Sequence, residues 1–582
     1  MYLRTTRRKN ADGSTVEYYQ LAENTWDPKK GCAVAKVVYN FGRADQMDGV
    51  AMRRLAGSIL RVLPGEEMVA TEPGVVVLDS WPYGTVHVVQ SIWRELGIDR
   101  VLGELQAKHG GRQPFERALF AMVANRTSEP CSKLYCRQQW LPEEVFLPGK
   151  EKLELQHLYR AMDFLEAHKE HVEREVFFHM ADLMNADVDV IFYDTTSLHF
   201  EVDEEDGVPE RGNKLAGGHE YPALRQRGHS KNGRGDVPQL VVGLAVTRDG
   251  LPVRSWVFPR NTVDVTTVEK VKQDLRGWRL GRCVFVGDAG MNSEENRRTL
   301  ALGGGKYILA ARMRAGDEVT KEVVTRGGRF QTVGDNLRVK EVTVGDGARQ
   351  RRYVVCFNPV EAERQRQHRQ VVLDELAAEI KTLRKPARGE GHSKRTCELL
   401  STPRFARYLR QAPWGGLKID LSAVRKEKKL DGKWVITSND DTLSAEDLAL
   451  GYKQLMRVEQ CWHTVKGGLR TRPIFHWTPH RICAHVSLCV LALLVERIAE
   501  IRAGDTWRNI RDQLETIKVV EYERGGVHVQ QTTEIRPAVA ALLGRLKVEL
   551  PPKIHGVAPT NTATPTKVAV AKPRASLPRP GA

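Results

Sequence analysis

Three acidic side chains carry the chemistry this sequence is equipped for. Asp194 closes the apolar run Val188-Asp-Val-Ile-Phe-Tyr, Asp288 closes Cys283-Val-Phe-Val-Gly, and Glu459 lies inside Tyr452-Lys-Gln-Leu-Met-Arg-Val-Glu-Gln-Cys-Trp-His-Thr-Val-Lys. Two strand-end aspartates and a helical glutamate can jointly hold two Mg²⁺ ions, with Mn²⁺ as a substitute. Such a pair stabilises the attacking and leaving oxygens of an in-line phosphoryl displacement. Glu459 has telling company: Tyr452 lies seven residues before it, Trp462 and His463 three and four after, and Lys466 seven after. At helical spacing these share one stripe, and a core stripe would be apolar. Asp79 follows the run Val75-Val-Val-Leu in the same manner as Asp194 but falls outside this pattern, and it is read as a coincidence.

The elements that must position these residues follow from periodicity. Residues 15–42 alternate as short strands around the turn-rich stretch Asn24 to Gly31, which predicts an antiparallel hairpin, either a DNA-contacting arm or a plain ribbon. From Gln46 to Trp140 the patterns are mainly helical. The break from Asn125 to Pro130 suits a helix-turn-helix or an ordinary bundle. Amphipathic helices over 151–186 lead into the Asp194 strand. Gln239-Leu-Val-Val-Gly-Leu-Ala-Val and Pro252-Val-Arg-Ser-Trp-Val-Phe flank Asp249-Gly250, a strong hairpin signal. Then come a helix from Val265 to Trp278, the Asp288 strand, a helix from near Ser293 and the strand Lys306-Tyr-Ile-Leu-Ala-Ala. Strand, hairpin, helix, strand, helix, strand is the order of a ribonuclease-H-like core.

The expected fold class is therefore α/β. A ribonuclease-H-like catalytic core carries a β-rich insertion between Asp288 and Glu459, and a mainly helical N-terminal region precedes it. The expected boundaries are 1–150 for the N-terminal hairpin and helices, 151–186 for a helical linker and 187–312 for the first part of the core. Residues 313–443 form the insertion with its charged helix, and 444–505 form helices completing the core, the first capped by Ser444 with Asp447 at its third position. Residues 506–550 are read as a C-terminal helical region. Residues 551–582 are rich in Pro, Ala and Thr, and from Lys553 onward they carry five basic residues and no acid, so they are expected to be disordered.

Composition narrows the partner. With 582 residues the chain exceeds what one hydrophobic core usually serves, and its net charge of +16 favours a polyanion. Nine cysteines without a Cys-x-x-Cys pair read as reduced thiols in a cytoplasmic protein. The sequence opens without a basic-then-apolar leader, and the longest apolar run, Val486 to Val495, is about half of the ~20 residues a span requires. No membrane partner is expected.

The constellation resembles the DDE transposases of bacterial insertion sequences, in the group with the signature Tyr-x2-Arg-x3-Glu-x6-Lys. Tyr452, Glu459 and Lys466 match in type and spacing, whereas Leu455 stands in place of the arginine. The resemblance extends through Tyr193-Asp-Thr-Thr-Ser, Gly228-His-Ser-Lys-Asn-Gly-Arg-Gly-Asp-Val-Pro-Gln, Pro259-Arg-Asn-Thr-Val-Asp, Gly287-Asp-Ala-Gly-Met-Asn-Ser and Arg472-Pro-Ile-Phe-His, covering roughly 190 to 500. It implies that Asp194, Asp288 and Glu459 are the catalytic, metal-binding triad and that Tyr452 and Lys466 position DNA phosphates. Trp434 occupies a place similar to the aromatic residue on which hairpin-forming relatives stack a flipped base; a strand tryptophan in the insertion's own core is the other reading. Arg457 and His463 flank Glu459 as further DNA contacts, and Lys231 and Arg234 lie in a Gly-rich basic loop suited to phosphate.

The resemblance implies binding of terminal inverted repeats and target DNA by a nucleoid-associated homodimer, with residues 1–150 taking the DNA ends. Nicking would free a 3′ hydroxyl that attacks a second phosphodiester, through a hairpin or directly. A structure-specific nuclease with the same core is the nearest rival. A transposase-derived DNA-binding protein without catalysis is another, kept open by Leu455. A haloacid-dehalogenase-type phosphatase would need an aspartate where Thr196 stands.

Overall fold

The computed structural model describes residues 2–9, 15–27, 32–44, 75–111, 113–184, 188–207, 221–228, 235–259, 262, 264–278, 280, 283–314, 319–347, 350–383, 394–412 and 416–559. The chain divides into two units, Met1–Val76 with Glu523–Gly526, and Val77–Tyr522 with Val527–Ala582. In the first unit, β1 (Tyr2–Lys9), β2 (Thr15–Asp27) and β3 (Cys32–Arg43) form an antiparallel sheet in sequence order. The expected hairpin is β2–β3, and β1 adds a third strand. Trp26 and the consecutive Val37, Val38 and Tyr39 are exposed, so both faces of β3 are open there.

The second unit opens on a departure from expectation, since Val75–Pro82 is a strand, β4, within a stretch read as helical. Three consecutive valines, stiff at χ1, favour extended backbone. Helices Gly84–Glu95, Ile98–Lys108 and Phe115–Ser128 follow. The last is buried from Ala118 through Thr127. The linker contains two helices, Leu155–Ala167 and Lys169–Leu183.

The catalytic candidates stand on a nine-stranded mixed sheet. Its strands are β5 (Val190–His199), β6 (Gln239–Val246), β7 (Pro252–Pro259), β8 (Val284–Gly287), β9 (Lys306–Ala311), β10 (Gln331–Gly334), β11 (Leu337–Val344), β12 (Arg351–Phe357) and β15 (Lys433–Ser438). The order is β10-β11-β12-β15-β9-β8-β5-β6-β7. β5, β8 and β9 are parallel, and every other neighbouring pair is antiparallel. Gly250, at φ +76°, closes the β6–β7 hairpin. Helix Asp264–Arg276 joins β7 to β8, and helix Glu294–Ala301, capped by Ser293, joins β8 towards β9.

Residues 313–443 do two different things. Strands β10–β12 and β15 extend the main sheet. The remaining part, with helices Pro359–Thr382, Lys394–Ser401 and Leu421–Lys428 and the small hairpin β13 (Leu409–Gln411) and β14 (Leu417–Ile419), packs its own core around Val372, Leu376, Leu399 and Phe405.

Helix Pro479–Ala503 meets the length and composition of a membrane span, but it is buried among helices Phe115–Ser128 and Leu155–Ala167. Eight cysteines, at 131, 136, 283, 356, 397, 461, 483 and 489, are free thiols.

Two C-terminal expectations are corrected. Residues 506–550 are not all helical: between helices Trp507–Leu514 and Pro537–Leu546 lies the hairpin β16 (Lys518–Arg524) and β17 (Val527–Thr532). Gly525 and Gly526 turn it with φ of +58° and +77°, the signs a type I′ turn demands. The tail is not disordered from its start, because Ile554–Pro559 is a strand, β18, paired with β17. Composition missed it because the strand is held by its main-chain ladder, with Ile554 and Val557 largely exposed. Residues 560–582 lie outside the described residues.

Candidate active site

Sheet register brings the two aspartates together. β5 and β8 run parallel with Val190 opposite Val284, Ile191 opposite Phe285 and Phe192 opposite Val286. β5 runs on through Asp194, whereas β8 ends at Gly287 and Asp288 follows it directly, so the parallel ladder leads to both aspartates from neighbouring strands. The apolar run before each aspartate explains this placement, since Phe192, Tyr193, Phe285 and Val286 are core residues. The chain after β8 is tightly held. Gly290 N donates to Asp288 Oδ1 at 2.9 Å, Asn292 Nδ2 donates to the Ala310 carbonyl at 2.7 Å, and Arg312 Nε donates to the Ala289 carbonyl at 3.2 Å. A Cβ on Gly287 would meet Met291 Sδ at 3.1 Å and Leu309 Cδ2 at 3.2 Å, so that position needs glycine for room.

Tyr452, Glu459 and Lys466 do not share one helix, as their spacing predicts. Tyr452 ends helix Ala445–Lys453, Glu459 lies in helix Met456–His463, and Lys466 lies in the wider turn Thr464–Gly468. Between them the winding tightens to i to i−3 bonds: Leu455 N donates to Tyr452 O at 2.9 Å and Arg457 N to Gln454 O at 2.8 Å. Gly451 stands at this break, its carbonyl accepting from Gln454 N at 3.2 Å. Ser444 caps the first helix as expected, its Oγ accepting from Asp447 N at 3.1 Å while Asp447 Oδ2 accepts from Ser444 N at 3.2 Å.

The Glu459 helix packs on β5 and β6 through Val458, Cys461 and Trp462, leaving Glu459 and His463 exposed. The Tyr452 helix packs across β8, β9, β11, β12 and β15. Burial, then the Asp288, Glu459 and Asp194 carboxylates, raise the Tyr452 phenol above its ordinary pKa. All three candidate carboxylates thus act electrostatically on one buried hydroxyl, which ties residues 265 positions apart in sequence to one locale (459 − 194).

The other candidates separate. Register carries the face of Asp288 through Ala310 on β9 and Ile436 on β15, and Trp434 shares that face two residues from Ile436. Its ring packs partly against the main core rather than the separate cluster around Val355 and Val435 on the opposite face. Arg457 is exposed with its Cβ beside the Gly250 turn, and its Nη1 donates to Gln460 Oε1 at 3.4 Å. Leu455 is 7 % exposed and belongs to the main core. Lys231 and Arg234 lie outside the described residues.

Arg312 was missed by sequence reasoning. It follows β9 directly opposite Trp434 when the Ala311–Val435 pairing is extended, and it is exposed. Phe475 and Trp477, 68 % and 57 % exposed, were missed as well; Arg225, held by Asp206 at 2.5 Å, lies 4.6 Å over the Trp477 ring. The exposed aromatics had a sequence signal, since they follow Arg472-Pro-Ile.

Among the described residues no three Asp, Glu, His or Cys side chains are gathered closely enough to form a ready metal cluster. The donor type nevertheless suits Mg²⁺, since carboxylate oxygens are the hard ligands it takes and all three carboxylates act on the one Tyr452 phenol.

Residues 199–495, more than half of the chain, match the family described as transposase DDE domain, and the match contains Asp288 and Glu459. The chain belongs to the DDE transposases. Residues 3–67 match the N-terminal domain of IS1634 family transposases, which agrees with the insertion-sequence resemblance. A solved structure titled as a cryo-EM structure of the piggyBac transposase synaptic complex with hairpin DNA is similar at 8 % identity with a TM-score of 0.33, covering 69 % of this chain and 70 % of that one. No curated protein sequence matches. This transposase is therefore a DNA transposase by family.

Proposed function

We propose that Asp194, Asp288 and Glu459 are the catalytic carboxylates, holding two Mg²⁺ or Mn²⁺ ions on a ribonuclease-H-like core formed by β5 to β9. The observation that carries this reading is the parallel pairing of the strands that lead to Asp194 and Asp288, with Glu459 joining them in raising the Tyr452 pKa. The strand order β7-β6-β5-β8-β9, with β6 alone running against the other four, supports the core assignment. Bound there, the ions would supply acidity to a water or 3′ hydroxyl nucleophile and offset charge on the leaving oxygen.

The chain's own groups position the DNA. Tyr452 stays protonated at ordinary pH, because burial and three carboxylates oppose its ionisation, so it can donate a hydrogen bond to a phosphate oxygen. Lys466 supplies positive charge one turn beyond the Glu459 helix. Trp434, on the face of the carboxylates, supports base stacking over a purely structural role; stacking is worth about 1–3 kcal/mol per base. The partners are the element's terminal inverted repeats and target DNA, engaged by a dimer in the synaptic complex, in a cytoplasmic, nucleoid-associated setting.

The test is an assay of both steps: a labelled duplex ending in the element's terminal repeat, incubated with Mg²⁺ and a target plasmid. The reading requires 3′ nicking at the repeat boundary and joining of the freed end to the plasmid, with a hairpin product that Trp434→Ala reduces if excision passes through one. Cutting that follows DNA structure and ignores the repeat would favour a nuclease without a joining step.

A further inference from the structure

A cavity of about 480 Å³ opens in the helical part of the insertion, away from the carboxylates. Arg314, Arg364, Arg369, Arg404, Arg407 and His368 line it, against two lining carboxylates, Glu427 and Asp431. We propose that this cavity is a phosphate site, filled during the reaction by a backbone phosphate of the transposon-end DNA; the DNA part rests on the function proposed above.

The arginines are oriented rather than merely crowded. Arg369, with its side chain 8 % exposed, grips Asp431 with both terminal nitrogens. Arg314 grips Glu427, with Nε and Nη2 each 2.9 Å from a carboxylate oxygen. These two pairs build the wall and leave further N–H donors, since each guanidinium carries five. Arg364 and Arg404 pair with Glu361 and Glu375, carboxylates outside the lining. Those pairs are solvent-exposed, contribute little, and can exchange for a stronger acceptor. Arg407 is exposed and donates Nε to the Pro403 carbonyl at 3.4 Å. Five guanidiniums around one concavity repel one another, and a phosphate, two of whose oxygens match the planar guanidinium fork, relieves that repulsion better than water does.

Two observations point to DNA as the source of the phosphate. Helix Leu421–Lys428, which supplies Glu427 to the lining, exposes Arg425, Lys426 and Lys428, a cationic approach suited to a polyanion. Asp431 of the wall lies three residues before Trp434, a span of at most about 11 Å. A strand whose base stacks on Trp434 can therefore place a phosphate a nucleotide or two away in the cavity.

The experiment replaces phosphates of the end duplex one at a time by neutral methylphosphonates and measures binding by full-length wild type, Arg407→Ala and Arg366→Ala, the last a surface control outside the lining. In wild type, one or two adjacent substitutions should weaken binding about tenfold, the scale of a lost charge-assisted bond. Arg407→Ala should lose sensitivity at those positions alone, and Arg366→Ala should keep it. An unchanged pattern in Arg407→Ala overturns the proposal. In parallel, inorganic phosphate at constant ionic strength should raise the unfolding midpoint of wild type more than that of Arg407→Ala. Phosphate stabilisation with an unchanged DNA pattern would assign the cavity to a free phosphate-bearing molecule and overturn the DNA claim. If the protein binds no repeat DNA at all, the proposed function fails, while the stabilisation arm still decides whether the cavity takes phosphate.

Discussion

Asp194 lies within β5 and Asp288 directly follows β8, two strands that pair in parallel up to Phe192 opposite Val286. The buried ladder directs both segments, and beyond its end Gly290 N holds the Asp288 carboxylate at 2.9 Å. What varies is the third carboxylate, delivered by a helix whose start depends on a tightened turn after Tyr452.

Tyr452 links the three carboxylates, and its hydroxyl is the part that matters. Tyr452→Phe should leave folding and repeat affinity within a few-fold of wild type and slow cleavage about tenfold, the effect of one lost bond to a charged group. Single-turnover cleavage beside equilibrium binding checks this. Loss of binding in step with cleavage would instead make Tyr452 a ground-state contact.

Leu455 stands where the family signature has arginine, and its side chain is buried. Leu455→Arg should therefore not improve cleavage. It should lower stability by about 2–4 kcal/mol by forcing a guanidinium into an apolar site. Thermal unfolding measures the cost, and a rise in cleavage with unchanged stability would show that the position faces DNA.

His476 gives the fold an acid limit. Burial, then Lys133 and Arg126, lower its pKa from 6.5 to about 3. A depressed histidine pKa means the unfolded chain binds the proton first, so stability is full above 6.5 and is lost as pH falls towards 3. Between pH 6.5 and 5 this one group should cost about 2 kcal/mol. His476→Gln should flatten that part of the stability profile in denaturant titrations, although His485, also held neutral by burial, keeps part of the slope.

Much of this was legible in the sequence, for definable reasons. The strands ending at Asp194 and Asp288 announce themselves as apolar runs, and Asp249-Gly250 fixes the hairpin between them. The β-rich character of 313–443 was readable from valine and threonine, but its union with the main sheet was not, since pairing of β15 with β9 is a contact across more than 120 residues. The break between Tyr452 and Glu459 was hidden because its one signal, Gly451, lies inside an otherwise helical run and the residues from Gln454 to Arg457 are ordinary helix formers. The β16–β17 hairpin carried a Gly525-Gly526 signal that helical expectations overrode. The arginine cavity left no motif, its residues being scattered from 314 to 407 and assembled only by folding.

The central claim is that Asp194, Asp288 and Glu459 form one centre. Single-turnover cleavage of a terminal-repeat duplex in Mg²⁺ should compare wild type with Asp194→Asn, Asp288→Asn, Glu459→Gln and Asp79→Asn, the last an exposed aspartate on β4. The account predicts that the first three each lose on the order of a thousandfold in rate while still binding the repeat, and that Asp79→Asn matches wild type. Wild-type cleavage in Asp194→Asn or Asp288→Asn would contradict it.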